Sequence, residues 1–374
     1  MRITILQGAF LPVPTLRGGA VEKMWFELGK QFCAKGHTVT HISRRFPGLP
    51  ASETIEGVRH IRIKGYDWPS NPLVHKLLDF IYTLRSFKSL PKADILITNT
   101  FWSPILASPF QHRFGRIVVD KQRIPKGQIR IYSSVACLRA NSSSVQKAIL
   151  AEAPNLANKI AVIPNPLPYN PPPLLSIKTG EVILYCGRLH PEKGIELLLH
   201  AFQLACRRGL SNWSLRLVGS ADVSAGGGGS VWLKRLVNLY SSDGLSVEWL
   251  GPLYNEHELQ EQYSRATLFV YPSLADNGES FGMAPLEAMA FGAVPIVSSV
   301  ACFQDFIKPE VNGFIFNHRH LDAVTILSTA ILELANSPEV CSILSRNALK
   351  VRQTHHPSAI AEEFINCFAV QCKD

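Results

Sequence analysis

The feature that most constrains the fold is an alternation of short apolar runs with helical patterns, which occurs twice along the chain. The first series has apolar runs at 2–6, 39–42, 61–63, 95–98, 117–119 and 138–140. The second series begins at Glu181 and has runs at 182–187, 215–219, 247–251 and 268–273. Strands that alternate with helices form parallel, doubly wound sheets. The sequence therefore predicts an α/β fold with two such domains.

A proline-dense stretch, VIPNPLPYNPPP at 162–173, separates the two series and has the composition of a semi-rigid linker. With 374 residues, 46% of them hydrophobic, the chain is long enough to give each domain its own core. We expect a first domain at 1–166, a second at 167–352 and a C-terminal helix at 353–374.

The stretch 276–299, DNGESFGMAPLEAMAFGAVPIVSS, predicts a glycine-bearing loop, a short helix and a buried strand. First-turn amides have no partner within a helix and carry a partial positive charge, so they predict a phosphate site. Glu279 and Glu287 flank this site and are better suited to accept hydrogen bonds from neutral hydroxyls. A phosphate with sugars on both sides is a nucleotide sugar. We expect the first turn to contain Phe281, Gly282, Met283 and Ala284.

This E-x7-E spacing, followed by EAMAFGAVPIV, resembles the donor site of retaining glycosyltransferases of the GT-B fold, in particular family four (glycosyl transferases group 1). The resemblance implies two Rossmann-like domains that face each other across a cleft, the first binding the acceptor and the second the donor. It implies that Glu279 binds hydroxyls of the donor sugar and that Glu287 holds the ribose. The last helix would cross back to the first domain. Two solvated glutamates are the alternative reading of the spacing alone.

A second motif, GRLHPEKG at 187–194, opens the second series. The resemblance implies that Arg188 and Lys193 grip the donor diphosphate, and a guanidinium fork with an ammonium suits the charge on such a leaving group. Two exposed cations in a loop are the alternative. The resemblance also assigns Gly18 and Gly19 to a loop that closes over the donor phosphates, although a glycine pair before a helix is more often a simple turn.

Motifs for metals and other cofactors are absent from the sequence. There is no D-x-D, so cations and helix amides would replace a metal, and no cofactor is expected beyond the nucleotide-diphosphate sugar as co-substrate. The eight cysteines form no C-x-x-C pair, which indicates neither zinc nor a disulfide framework. His318 and His320 lack acidic or cysteine companions, so we expect both at the surface. The glycines at 226–229 lack a following G-K-[ST] and predict a flexible surface connection.

Positive charge is concentrated in the first half of the chain. Residues 1–170 contain 23 Lys and Arg against 9 Asp and Glu, a net charge of +14, whereas the remainder carries −5. Solvated surface charge is one interpretation; the other is an anionic partner such as a lipid-linked acceptor, a phosphorylated glycan or a membrane surface. No nucleic-acid-binding signature is present.

The loop DKQRIPKGQIR at 120–130 carries part of this charge to the expected carboxyl ends of the strands, where open parallel sheets bind ligands. Lys121, Arg123 and Lys126 are therefore candidates for binding an anionic acceptor or the donor phosphates. A plain basic surface loop is the alternative.

Residues 73–90 predict a helix that faces the core, with a basic amphipathic helix lying on a membrane as the alternative. No apolar run approaches the roughly 20 residues that span a bilayer, and the N-terminus lacks signal-peptide features. We therefore expect a cytoplasmic protein, with peripheral contact at the cytoplasmic face of an anionic membrane as a further option.

The family commonly carries a histidine after the fourth strand, near the transferred sugar, whereas this chain has Asn99, Thr100, Phe101 and Trp102 there. The prediction is a metal-independent retaining glycosyltransferase that moves a hexose to an acceptor hydroxyl in glycan, glycolipid or polysaccharide synthesis. The missing histidine keeps open a catalytically degenerate nucleotide-sugar or glycan-binding protein. A GT-B epimerase is a further alternative, which the E-x7-E spacing disfavours.

Overall fold

A computed structural model describes residues 1–16, 19–173, 180–240, 244–276 and 278–371. The chain divides into two compact units. The first contains Met1–Asn170 and the C-terminal segment from His355 onward, and the second contains Pro171–Thr354.

The first unit is built on an eight-stranded sheet. Its strands are β1 (Arg2–Leu6), β2 (Thr38–Arg44), β3 (Ser52–Ile55), β4 (Val58–Ile63), β5 (Ile95–Thr98), β6 (Arg116–Lys121), β7 (Cys137–Ala140) and β8 (Ile160–Val162). The strand order is β3-β4-β2-β1-β5-β6-β7-β8, and β3 pairs antiparallel with β4 while the other neighbours pair parallel. Its helices before residue 170 are α1 (Ala20–Ala34), α2 (Pro72–Ser86), α3 (Ser103–Ala107), α4 (Gln111–Phe114) and α5 (Ser143–Glu152).

The second unit is built on a six-stranded parallel sheet. Its strands are β9 (Val182–Cys186), β10 (Ser214–Val218), β11 (Val247–Gly251), β12 (Leu268–Tyr271), β13 (Val294–Ser298) and β14 (Phe314–Phe316). They are arranged in the order β11-β10-β9-β12-β13-β14. Its helices are α6 (Ile195–Arg207), α7 (Ser230–Tyr240), α8 (Glu256–Arg265), α9 (Met283–Ala290), α10 (Ala323–Ala335), α11 (Pro338–Ala348) and α12 (Val351–Thr354).

The last helix, α13 (Pro357–Gln371), belongs to the first unit. Its Phe364 ring packs against Trp25 of α1 at 5.1 Å and against Phe32 at 6.3 Å, both between ring centroids. Alternation along the central strands supplies both faces of this sheet with apolar side chains. Ile95 and Ile97 join the cluster under α1 and α13, whereas Leu96 lies in the opposite cluster.

The predicted fold class, two parallel-sheet α/β domains, is confirmed. Each apolar run of the first series lies within a strand, because buried parallel strands are apolar on both faces. Strand β3 was missed because its sequence, SETI, has a single large apolar residue. The prediction that residues 73–90 form a helix with its apolar side in the core is wrong in part. The helix ends at Ser86, and Leu73, Val74, Leu77 and Leu84 are exposed.

Candidate active site

The loop between β9 and α6 carries the Arg188–Lys193 motif and packs tightly against the loop that follows β12. Gly194 has a φ of 70°, and a Cβ there would lie 2.1 Å from the carbonyl oxygen of Pro272. The carbonyl of Glu192 accepts a hydrogen bond from the amide of Leu274 at 2.8 Å. Both loops follow carboxyl ends of parallel strands, so the GRLHPEKG motif and the 276–299 stretch meet at one edge of the sheet.

Lys193 and Glu279 form a buried ion pair at this edge, with exposed fractions of only 5% and 9%. The ammonium of Lys193 donates to Oε1 of Glu279. The same oxygen accepts hydrogen bonds from the hydroxyls of Ser273, at 2.9 Å, and Tyr271, at 3.1 Å. Among the residues that the structure describes, Oε2 has no hydrogen-bond partner. Glu279 is thus fixed through one oxygen, and the other remains free to accept from a ligand hydroxyl.

Two stacked tyrosines support this pair. The rings of Tyr185 and Tyr271 are parallel within 7°, with centroids 5.5 Å apart, and the Lys193 ammonium lies 5.9 Å from the Tyr271 centroid. Burial, together with the charge of Glu279, holds the pKa of Tyr271 well above its ordinary value, so its hydroxyl stays a proton donor. Sequence analysis missed Tyr271 and Ser273; the signal was the polar ending YPS on an apolar strand.

Arg188 is held more loosely than Lys193. Its guanidinium donates to the carbonyl of Gly226 at 2.6 Å and to Oε1 of Glu192 at 2.9 Å, and its side chain is 44% exposed. A guanidinium has five N–H donors, so these two bonds leave others for an anion. The structure therefore joins Lys193 to Glu279 directly and turns Arg188 toward Gly226 and Glu192.

The glycine run 226–229 is not the flexible connection that the sequence predicts. The amides of its four residues donate to the carbonyls of Val223, Asp222, Leu189 and Ala221, at 2.8–2.9 Å. A Cβ on Gly227 would lie 2.2 Å from the backbone of Ala221. The expectation was wrong because backbone packing of this kind leaves no mark in side-chain patterns, and the ordered run presents its Gly226 carbonyl to Arg188.

Helix α9 begins at Met283, and Gly282 is its N-cap. Met283 and Ala284 therefore lie in the first turn, whereas Phe281 precedes the helix. The expectation that Phe281 and Gly282 are helical is thus corrected. Gly282 has a φ of 102°, and a Cβ there would lie 2.6 Å from the ring of Phe303. Phe281 is buried and stacks on Phe306 at 5.3 Å between centroids. The start of α9 is therefore fixed by aromatic packing.

Glu287 lies on α9, half-buried and near the end of β9. Burial raises the pKa of the Cys186 thiol to about 12, and the charge of Glu287 adds to the rise. Glu287 therefore lies on the helix that begins shortly after Glu279 in the chain.

The predicted site residues of the first unit lie around the start of α1 and the end of β6. Gly18 is outside the described residues. Gly19 is the N-cap of α1 with a φ of 111°, and a Cβ there would lie 2.6 Å from Oε2 of Glu22. Burial raises the pKa of Glu22, and the positive charge of Arg123 opposes the rise. Glu22 thus lies beside Gly19 and within electrostatic reach of Arg123.

The basic loop begins later than the sequence suggests. Strand β6 runs through Asp120 to Lys121, and the buried Asp120 carboxylate accepts from Arg139 at 2.7 Å and from Trp25 Nε1 at 2.8 Å. Lys121 is half-buried, its Nζ lies 5.9 Å from the Tyr132 ring centroid, and burial lowers its pKa. Asp120 is consequently a structural residue. Arg123 and Lys126 are exposed, as is Arg130.

The loop after β5, where the sequence lacks a histidine, is held by side-chain hydrogen bonds. Asn99 Nδ2 donates to Oε1 of Gln7 at 2.9 Å, and the hydroxyls of Thr100 and Ser103 lie 2.6 Å apart. The Trp102 amide donates to Asp79 at 3.2 Å, and the Phe101 carbonyl accepts from Tyr132 at 3.1 Å. Asn99 and Thr100 thus supply polar groups at the carboxyl end of the sheet, where ligands bind in open parallel sheets.

The expectation that His318 lies at the surface is wrong. Its Nδ1 lies 3.2 Å from the Ser299 hydroxyl and its Nε2 lies 3.3 Å from Asp276, both far away in sequence, and the residue is buried. His320 is exposed as expected. In the parts of the chain that the structure describes, no group of three or more His, Cys, Asp or Glu could hold a metal ion. No described helix combines the length and the apolar character needed to cross a bilayer.

Solved structures share this architecture over the whole chain and define its class as the GT-B fold. A sucrose-phosphate synthase from Thermosynechococcus elongatus has a TM-score of 0.74 and 21% identity, covering 99% of this chain and 98% of that one. Anabaena Alr3699/HepE in complex with UDP-glucose has a TM-score of 0.67 and 16% identity, with 99% of both chains covered.

A narrower likeness lies in the second unit. Residues 170–351 match the family described as Glycosyl transferases group 1. A D-inositol 3-phosphate glycosyltransferase from Frankia alni is 32% identical over 139 residues, which are 37% of this chain and 33% of that protein. The chain thus spans about a third of the length of this curated relative. The family match is thus confined to the second half of the chain, whereas the shared fold extends over all of it.

Proposed function

We propose that the protein is a retaining glycosyltransferase that transfers a hexose from a nucleotide-diphosphate sugar to an acceptor hydroxyl, in glycan, glycolipid or polysaccharide synthesis. The second unit binds the donor and the first unit binds the acceptor. The observation that carries the proposal is the buried Lys193–Glu279 pair, with Oε2 of Glu279 free among the described residues. One wall of the site thus offers a cation to phosphate and a carboxylate oxygen to sugar hydroxyls.

In the proposed reaction, the bond between the anomeric carbon and the donor phosphate oxygen breaks, and its electron pair leaves with the diphosphate. The acceptor oxygen forms the new bond on the same face of the sugar, and its proton passes to the leaving phosphate. Lys193, Arg188 and the first-turn amides of α9 stabilise the charge on the diphosphate without a metal. Each such contact in a site that excludes water contributes about 3 kcal/mol to the transition state.

The contacts of Lys193, Tyr271 and Ser273 with Oε1 withdraw negative charge from the Glu279 carboxylate and so weaken it as a nucleophile. We therefore give Glu279 the role of binding sugar hydroxyls through Oε2, and Glu287 that of binding the ribose. We also propose that Gly19 belongs to the loop that closes over the donor phosphates. Lys121, Arg123 and Lys126 are assigned to an anionic acceptor.

Binding of a nucleotide sugar or glycan without turnover is the second candidate function. Its specific support is the loop after β5, where Asn99 and Thr100 stand in place of a histidine and are themselves hydrogen-bonded. Such a protein would keep the Lys193–Glu279 pair and the donor affinity but would form no product.

Incubation with radiolabelled UDP-, GDP- and ADP-sugars and membrane extract separates the two candidates. We expect one donor to give a labelled product, and we expect Arg188→Gln to reduce its formation by about a hundredfold, the effect of removing one transition-state contact. Arg235→Gln, an exposed arginine in an ion pair with Glu196, is the matched control and should retain the wild-type rate. Donor binding without any product would support the second candidate, and neither binding nor product would refute both.

A further inference from the structure

Helix α2 has an unusual distribution of side chains, with polar residues on its buried face. Asp79, Tyr82, Thr83 and Ser86 are all buried. The Asp79 carboxylate accepts from the Trp102 amide at 3.2 Å, and the Thr83 hydroxyl lies 3.2 Å from that of Ser103. Hydrogen bonds to α3 and its preceding loop, together with packing of Tyr82 and Leu78 in the core, hold this helix in place. A second group of apolar side chains on α2 is exposed.

The outward face of α2 forms a continuous apolar ridge. Leu73, Leu77 and Leu84 are 76%, 57% and 46% exposed and lie at helical spacing on one side. At the N-terminal end the exposed Trp68 contacts His75, with 4.8 Å between ring centroids, and at the other end Phe87 contacts the exposed Phe110, with 6.1 Å between ring centroids. A 15-residue helix extends about 22 Å. We call this the α2 surface: Trp68, Leu73, Val74, Leu77, Leu84 and Phe110.

Most of the charges around the α2 surface are positive, and the exposed acidic Asp67 next to Trp68 is paired with Arg44. Lys76 projects beside the ridge, Lys88 and Lys92 follow the helix, and Arg113 is exposed in the segment after Phe110. The single acidic residue of α2, Asp79, is buried on the opposite face. A second copy of this surface would bring cations against cations, whereas an anionic layer would neutralise them.

We propose that the α2 surface docks the protein on an anionic lipid bilayer. Leucine and tryptophan side chains on one face with lysines at the margin are the features of a helix that lies in the membrane interface. The surface adjoins the candidate acceptor edge, since Trp102 Nε1 donates to the Lys76 carbonyl at 2.9 Å and the Lys76 ammonium lies 4.8 Å from the Phe101 ring centroid. Docking would therefore hold the loop after β5 close to the bilayer, where a lipid-linked acceptor is available.

Sedimentation of the full chain with vesicles tests the proposal without any nucleotide sugar, so its outcome does not depend on the proposed activity. We expect binding to phosphatidylcholine vesicles that contain phosphatidylglycerol, weaker binding at high salt, and little binding to phosphatidylcholine alone. Leu77→Glu combined with Leu84→Glu should weaken the vesicle affinity about tenfold or more, because two leucines lose their burial. Trp68→Phe should remove a blue shift in fluorescence that accompanies binding.

Val231→Glu is the matched control, because Val231 is an exposed apolar residue on α7 in the second unit. It should bind vesicles as the wild type does, and all variants should unfold at the wild-type temperature. Three results would overturn the proposal: wild-type protein that stays in the supernatant with anionic vesicles, a double variant that binds unchanged, or a wild-type dimer that the double variant converts to a monomer while vesicle binding is absent.

Discussion

At the scale of single residues, the Lys193–Glu279 pair makes the sharpest prediction about stability. Glu279→Gln keeps the shape of the side chain but leaves the Lys193 ammonium buried without its counter-ion. Breaking one side of a buried ion pair costs about 3–5 kcal/mol, so we expect a loss of that size in the free energy of unfolding in urea. Glu261→Gln breaks the exposed pair with Arg265 and should change the stability by less than about 1 kcal/mol. Equal losses in both variants would contradict the account.

The residues of this pair also show what the sequence could and could not predict. Glu279 and Lys193 were identifiable because each lies within a recognisable motif, Lys193 in GRLHPEKG and Glu279 in the 276–299 stretch. Their direct contact was not, because it depends on how the loops after β9 and β12 pack, through a glycine at 194 that admits the Pro272 carbonyl. Ser273 and Tyr271 were missed for the same reason: a hydroxyl gains its role from a partner far away in sequence.

At the scale of secondary-structure elements, the start of α9 depends on Gly282. Gly282→Ala places a Cβ against the Phe303 ring at a φ of 102°, so the N-cap and the first-turn amides must shift. We expect a loss of about 2–4 kcal/mol in unfolding free energy from backbone strain and overpacking, with weakened donor binding. Gly209→Ala is the control: its φ is 106° with open space around it, so it should lose about 1–2 kcal/mol and bind the donor normally. Equal donor affinities in the two variants would show that the start of α9 does not bind the donor.

The neighbouring strands β2 and β4 make a prediction about pH. His41 and His60 face each other across the ladder with ring centroids 5.3 Å apart. Burial lowers the pKa of His60 to about 4, with Arg62 adding to the effect and Glu53 opposing it, and lowers the pKa of His41 well below its ordinary value. In the unfolded chain both histidines have the ordinary pKa of about 6.5, so they take up protons when the protein unfolds. The protein should therefore lose stability as the pH falls from about 6.5 to about 4.

Denaturation across this pH range checks the prediction. Each histidine that protonates only on unfolding contributes a slope of up to about 1.4 kcal/mol per pH unit. His60→Gln removes one such group and should flatten the profile. A wild-type profile that is flat below about pH 6 would contradict the assignment.

Helix α2 shows why element-level prediction is incomplete. Apolar periodicity correctly indicated a helix, but it could not indicate which side faces the unit. That side combines core packing of Tyr82 and Leu78 with hydrogen bonds that Asp79 and Thr83 share with residues after β5. These hydrogen bonds are not encoded in local hydrophobic spacing. The same limit applies to the glycine run 226–229, whose order comes from backbone hydrogen bonds.

At the scale of the whole molecule, the two α/β units were predictable because parallel strands buried on both faces must be apolar throughout, and the sequence repeats that pattern on either side of the proline-dense stretch. The charge difference between the halves was equally visible. The arrangement of the candidate site in the second unit required coordinates, because it unites a cation, a carboxylate and a helix start from separate loops.

Donor binding by the whole protein is the most direct test of this account. The measurement is the unfolding temperature with a panel of UDP-, GDP- and ADP-sugars, since a ligand that binds only the folded state stabilises it by about 2.7 kcal/mol at a hundredfold excess over Kd. The account predicts that at least one nucleotide sugar raises the unfolding temperature of the wild type and of Glu261→Gln. It predicts no rise for the charge-free double variant Lys193→Met with Glu279→Gln, which removes both partners of the buried pair. No rise in the wild type with any nucleotide sugar, or an equal rise in the double variant, would contradict it.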